Sequence, residues 1–265
     1  MKKRTLLFVF CLLPLALSAQ SIFVKAGLGF ASQWGAVGVH SGSRIGLGYE
    51  YELSQTIGFA PTLSLVGRGW KVSDVETPDL LFDDAGNMLD ALGNVTDDPA
   101  LQAQRPVIDP EGEVVPGEFM KSMMHRTYSA NYLQLDAPFN FYRRVGMAQY
   151  VTFTAGPWVA VGIGGKRRTE GDGRATPDRK SNYADHLFSL PGAHRVDCGL
   201  KAGVGYQFPS SLTVNLEGEF GLLKTNSITG TSVLNDPFAY RAGRNVTIML
   251  TLSYKLNKSI WRSED

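Results

Sequence analysis

The stretch Arg195-Val196-Asp197-Cys198-Gly199-Leu200-Lys201-Ala202-Gly203-Val204-Gly205-Tyr206-Gln207-Phe208 decides the fold. Val196, Leu200, Val204, Tyr206 and Phe208 fall on one side of a period-two pattern. Asp197, Gly199, Lys201, Gly203 and Gly205 fall on the other, so the segment reads as a strand with one apolar and one small or charged face. Three residues later the pattern resumes over Leu212–Leu222, with Val214, Leu216, Phe220 and Leu222 set against Asn215, Glu217 and Glu219.

Working outward, six more such segments appear: Ile22–Phe30, Arg44–Leu53, Ile57–Trp70, Tyr132–Tyr142, Val151–Gly164 and Val246–Leu256. Each reaches the roughly 9–11 residues that a tilted strand needs to cross a bilayer. Their connections alternate. Residues 31–43, 71–131, 165–194 and 223–245 are long, whereas Ser54–Thr56, Arg143–Tyr150 and Pro209–Ser211 are short. An even strand count with alternating long and short links predicts an all-β protein. Its form is an eight-stranded antiparallel up-and-down transmembrane β-barrel, with periplasmic turns and long extracellular loops.

A soluble eight-stranded barrel has the same period with its faces reversed. Two features favour the membrane form. Glycines crowd the polar face (Gly27, Gly29, Gly46, Gly48, Gly156, Gly162, Gly164, Gly199, Gly203, Gly205). They weaken a solvated strand but make room inside a narrow barrel. Aromatics also end each downward strand on its apolar face, at Tyr49, Tyr51, Phe139, Phe141, Tyr206, Phe208 and Tyr254. Such a row is the expected periplasmic girdle.

The first residues carry Lys2, Lys3 and Arg4, the apolar run Leu6–Leu17, then Ser18-Ala19-Gln20, the layout of a secretory signal over 1–19 with cleavage after Ala19 or Ser18. Its removal takes away three positive charges and leaves a net charge of −2, with Cys198 alone. No intrachain disulfide is then available, and the charge offers no reason to expect a nucleic-acid partner. Residues 20–256 form the expected barrel domain and 257–265 a short periplasmic tail.

Asn131-Tyr132-Leu133-Gln134-Leu135-Asp136-Ala137-Pro138, the segment Asp197–Phe208 and the ending Ser18-Ala19-Gln20 resemble the PorT-like outer-membrane β-barrel family of Bacteroidota. That resemblance implies an eight-stranded barrel, usually without an assigned activity; a few relatives serve protein secretion. The chain departs from it in the length of the connection after the third strand and in the residues beyond the last one.

The inward face carries Lys25, Arg44, Arg68, Lys201 and Lys255 against Glu50, Glu52, Asp136, Asp197, Glu217 and Glu219. These charges are expected to pair across the lumen as a polar plug, because unpaired buried charge is costly. A proton or ion path is the alternative, and a general porin is not expected from eight strands. Segment 73–127 is an extended acidic loop with three Asp-x-x-Gly units at Asp83–Gly86, Asp90–Gly93 and Asp109–Gly112, each suited to a type I turn with a left-handed glycine. Solvated turns are expected there rather than a calcium site, since no spacing matches an EF-hand. Lys166, Arg167, Arg168, Arg174, Arg179 and Lys180 make the next loop basic, facing the acidic loop or lipid phosphates. Gly162-Ile163-Gly164-Gly165 is read as a glycine cluster at a strand end.

The functional expectation is a non-enzymatic barrel with a structural or loop-mediated binding role. It needs no cofactor, metal or catalytic residue, and its contacts are outer-membrane lipid and a protein partner at the loops. An accessory subunit of a secretion or uptake complex is one alternative. An outer-membrane hydrolase is the other, its rim site drawn from His40, His125, His186 and His194.

Overall fold

The computed structural model describes residues 20–34, 38–98, 101–171, 183–190, 193–225 and 243–256. The expected signal segment, the C-terminal tail, Arg174, Arg179 and Lys180 lie outside them. Strands β1 (Gln20–Gln33), β2 (Gly38–Ser54), β3 (Ile57–Phe59) and β4 (Thr62–Pro78) come first. A small hairpin follows, β5 (Pro106–Ile108) and β6 (Val114–Phe119), then β7 (Lys121–Asp136), β8 (Phe139–Gly146) and β9 (Gln149–Gly171). The chain ends through β10 (Tyr183–His186), β11 (Val196–Gln207), β12 (Leu212–Gly221) and β13 (Asn245–Lys255).

All pairings are antiparallel. The wall runs β1, β2, β4, β7, β9, β11, β12, β13, and β13 returns to β1 with Phe23 opposite Lys255 and Gln33 opposite Asn245. Eight walls therefore close into a ring that leaves no edge within the barrel. The direction of the side chains settles which surface meets solvent. Leu47, Leu135 and Leu250 are 57%, 49% and 56% exposed, while Glu50, Asp136 and Asp197 are at most 1% exposed. This is the inverse of a water-soluble core, where charged residues almost never lie fully buried in such numbers.

Several expected strands differ in detail: β9 runs on to Gly171, which puts Lys166, Arg167 and Arg168 on the wall and not in a loop, and the third and fourth are broken. The third is interrupted at Ala60-Pro61 and the fourth at Ala137-Pro138, so β3 and β8 complete the short-turn end of the wall. Proline has no N–H for the ladder. Here the neighbouring alanines donate instead, Ala60 N to the Pro138 carbonyl and Ala137 N to the Pro157 carbonyl, each 2.9 Å. Both strands also run further than their apolar faces. β4 reaches Pro78 and β7 starts at Lys121, so only 79–120 of the expected 73–127 loop lies beyond the sheet. The alternation continues there in polar residues that a search for lipid-facing strands passes over.

Inside, glycines take the space that bulky neighbours fill. A side chain at Gly48 would overlap the ring of Phe23, and one at Gly199 would overlap the Trp158 indole.

Candidate functional site

The lumen is filled in layers. At mid-height, β1, β2, β4, β7, β11 and β12 each aim charged side chains at the axis, because strand periodicity brings every second residue inward. Lys25 meets Glu217 at 2.5 Å and Lys201 meets it at 3.3 Å. Arg44 bridges Glu217 at 3.3 Å and Glu219. Arg68 reaches Glu219 at 2.6 Å and Asp197 at 3.6 Å, and Lys201 lies 3.5 Å from Asp136. Closer to the short turns, Lys255 pairs with Glu50 at 2.7 Å, and the Tyr142 hydroxyl donates to the same carboxylate.

Ten of the eleven sequence-selected charges are thus paired: eight are buried in the mid-height layer, four of each sign, and Lys255 meets Glu50 below it. Glu52 does not join it: it is half-buried at the short-turn rim, opposite Gly58 in register. Neutral residues also belong to the layer. Gln134 donates to Asp136 at 2.7 Å and to Glu219 at 3.1 Å, and Asn245 donates to Asp197 at 2.8 Å. The inward phase of Gln134 was legible in the sequence, but its uncharged side chain gave no signal of an ionic site; Asn245 fell in the expected 223–245 connection and opens the last strand instead.

Above the charges lies an aromatic layer of Trp70, Tyr128, Tyr132 and Trp158, closed by Leu187. Trp70 and Tyr128 stack with centroids 4.6 Å apart and planes 7° from parallel. Leu187 and Phe188 belong to a short 3-10 turn, Leu187–Ser189, that folds over the mouth at the long-loop end. Arg68 joins the two layers, with its guanidinium carbon 4.3 Å from the centre of the Trp158 ring. The aromatic quadrupole and the carboxylates below therefore share one cation. Beneath the charges, a polar vestibule lined by Lys25, Glu50, Thr62, Asn140, Tyr142 and Lys255 opens at the short-turn end.

Around that end, Tyr49 and Tyr51 pack with centroids 4.6 Å apart, and Tyr206 and Phe208 with centroids 4.9 Å apart. Phe59 continues the row, 5.2 Å from Phe139, and Phe153 stands opposite Phe141 in register. Tyr254 is 48% exposed on the same outer face. Phe59 and Phe153 sit on upward strands and so escaped a search for downward strand ends.

At the long-loop end the three Asp-Gly turns share one geometry. Asp83 accepts from the amides of Ala85 and Asn87, and Asp90 from those of Leu92 and Asn94. Asp109 accepts from the amide of Glu113 at 2.7 Å. Gly86, Gly93 and Gly112 have φ of 89°, 84° and 88°, which only glycine adopts at no cost. The donated bonds from Asn87 hold the Asp83 carboxyl below its ordinary range, and those from Asn94 do the same for Asp90. At the base of the extension, Arg105 pairs with Asp79 at 2.8 Å.

The histidines lie on four segments. His40 is on β2, with Nδ1 2.8 Å from the Ser41 carbonyl, and His125 is on β7 opposite Glu170. His186 ends β10, and His194 precedes β11. Arg167 pairs with Asp185, and Arg168 with Glu170 at 2.6 Å. Among the described residues, no group of three or more His, Cys, Asp or Glu side chains is placed to hold a metal ion.

No curated protein matches the chain. Three solved structures are similar to the chain at low identity. Ail, the attachment invasion locus protein of Yersinia pestis, solved with the heparin analogue sucrose octasulfate, is 13% identical over 91% of this chain and 100% of that one, with a TM-score of 0.35. Neisserial surface protein A is 10% identical over 90% of this chain and 100% of that one, with a TM-score of 0.35. The outer membrane enzyme PagL is 12% identical over 88% of this chain and 98% of that one, with a TM-score of 0.33. The family model of the outer membrane protein beta-barrel domain matches residues 23–227. An outward apolar wall, a closed eight-walled ring and that match lead to one conclusion: the chain belongs to the outer membrane protein beta-barrel domain family, and its place is the outer membrane.

Proposed function

We propose that this protein is a non-enzymatic outer-membrane barrel that acts from its outer end, with the filled lumen as a rigid support and residues 79–120 as a binding surface. The observation that carries this reading is the lumen itself. Five buried cations and five buried carboxylates pair across it, under a lid of aromatic rings. Work then falls to the segment that is not wall. Its Asp-Gly turns hold Leu92 and Val95 out of the barrel, 86% and 58% exposed, and Leu101 is 57% exposed nearby. Apolar side chains displayed on a rigid, acidic scaffold suit contact with another protein.

The segments Asn131–Pro138 and Asp197–Phe208 support a finer placement among the PorT-like barrels of Bacteroidota. In that setting, an accessory role in a secretion or uptake complex is the second reading, favoured by the same exposed apolar residues. A hydrolase has less support, since its histidines are spread over four segments.

A photo-crosslinking residue at Leu92 or Val95 in intact cells should give a protein adduct. The same residue at Leu250, on the lipid-facing wall, should not. No adduct from either extension site, together with ester hydrolysis by the purified barrel, would replace this reading with the enzymatic one.

A further inference from the structure

The lipid-facing wall is not evenly convex. A groove of about 710 Å³ crosses β13, β1, β2 and β4 on the outside of the barrel. Its floor is small, at Ala26, Ser43 and Gly67, and its sides are large, at Leu28, Leu65 and Leu250. In register, Leu28 stands opposite Ser43, Ser43 opposite Gly67 and Gly67 opposite Asn131, so one row changes from apolar to polar as it passes round the barrel. Ile163 bounds the groove at that polar side. It is the extra residue of a bulge, left between the pairs Tyr132–Gly162 and Asn131–Gly164. A bulge re-aims a side chain in this way.

Cations stand directly above. Lys166 lies opposite Ser129, one outward position past the Asn131–Gly164 pair, about 7 Å along the strand. Lys71 lies opposite Thr127, two outward positions past Gly67, about 13 Å along. Both are exposed. Arg167 and Arg168 are already matched by Asp185 and Glu170, whereas no ion pair engages Lys71 or Lys166 among the described residues. Between groove and lysines the outward positions are Gly69, Ser129 and Asn131, a flat strip in which the Ser129 hydroxyl donates to the Lys166 carbonyl and the Asn131 amide faces out.

We propose that this groove and the two lysines above it bind one phosphate-bearing, acylated lipid of the surrounding outer leaflet. An acyl chain lies in the groove, and a headgroup phosphate sits between Lys71 and Lys166, with the Asn131 amide donating to it. Charge complementarity selects this occupant. A lipid with an ammonium headgroup would bring a cation of its own to two unmatched lysines, whereas a phosphomonoester brings the missing anion. The proposal rests on the membrane position of the barrel and is independent of what the 79–120 extension binds.

The test uses the full chain in detergent, with native mass spectrometry reading the lipid retained. The probes are bis-phosphorylated lipid A, the same lipid dephosphorylated, and phosphatidylethanolamine. The unaltered protein should keep one lipid A molecule, with about tenfold preference over each of the other two. Lys71→Ala with Lys166→Ala should abolish the preference for the phosphorylated form. Gly67→Leu fills the groove floor, where the atoms nearest an added Cβ belong to the Ser43 and Asn131 side chains. It should weaken retention of both forms of lipid A alike. Equal retention of all three lipids by the unaltered protein would overturn the proposal, and so would a preference that survives the double lysine variant. Folding of each variant is checked by its heat-dependent gel mobility. If a variant does not fold, the comparison of the three lipids on the unaltered protein still decides.

Discussion

Replacing Glu219 by Gln should test whether the charge layer is a dry, mutually dependent unit. Glu219 receives Arg44, Arg68 at 2.6 Å and Gln134 at 3.1 Å, and Lys201 stands 3.6 Å away. Glutamine keeps the shape, removes the charge and turns an acceptor into a donor facing two guanidinium groups. The mid-height layer then holds four cations against three carboxylates. Breaking one partner of a buried ion pair costs about 3–5 kcal/mol. Arg44 keeps Glu217 at 3.3 Å and Arg68 keeps Asp197 at 3.6 Å, so the loss should fall near the lower bound, about 3 kcal/mol. The assay is reversible urea unfolding in lipid vesicles at neutral pH, followed by tryptophan emission. With a slope of about 2 kcal/mol per molar urea, the midpoint should drop by roughly 1.5 M. Glu111→Gln, exposed on the extension and outside the charge layer, is the control and should stay within about 0.5 kcal/mol of the parent. Arg68→Met combined with Glu219→Met should cost less than the two single changes added together, because the pair is removed as a unit. A loss under about 1 kcal/mol for Glu219→Gln, or an equal loss for Glu111→Gln, would refute a water-excluded layer.

Two further outcomes follow from the outer wall and from the turns. Leu250→Arg places a charge on the lipid face and should cost about 2–4 kcal/mol in the same unfolding measurement if Leu250 lies near the bilayer midplane. Asp83 and Asp90 are held below the usual aspartate pKa range in the folded protein by the bonds they accept from Asn87 and Asn94. Their contribution to the turns is present above the ordinary aspartate range and is lost as pH falls through the depressed folded values. Amide exchange at Ala85, Asn87, Leu92 and Asn94 should therefore be slow at neutral pH and lose protection only well into acid. Protection that disappears already in the ordinary aspartate range would show that these bonds do not hold the turns.

The wall was legible because lipid imposes a rule on every second residue: Leu28, Leu47 and Leu250 could face only outward, whatever their neighbours. The glycines opposite them were legible for the converse reason, since a narrow interior has room for few bulky side chains. Partners were not legible. Arg44 and Glu219 are far apart in the chain, and only ring closure decides that they meet rather than Arg44 and Glu50. The cover over the mouth escaped as well. Leu187 and Phe188 carry no periodicity, and their burial depends on Trp70, Tyr128 and Trp158 arriving from three other strands. The proline breaks at Pro61 and Pro138 were visible as residues but not as interruptions, because the apolar alternation continues across them.

The seam between β1 and β13 joins nearly the first described residues to nearly the last, with Val24 against Tyr254 and Phe30 against Ile248. The cylinder therefore cannot shut until synthesis and export have delivered its final strand, and until then both lateral borders offer open backbone groups to any passing chain. Closure is the pairing with the widest chain separation, and it is also the one that ends exposure to mispairing. A variant lacking β13 should for that reason accumulate as a sticky, chaperone-dependent ribbon rather than as a smaller barrel.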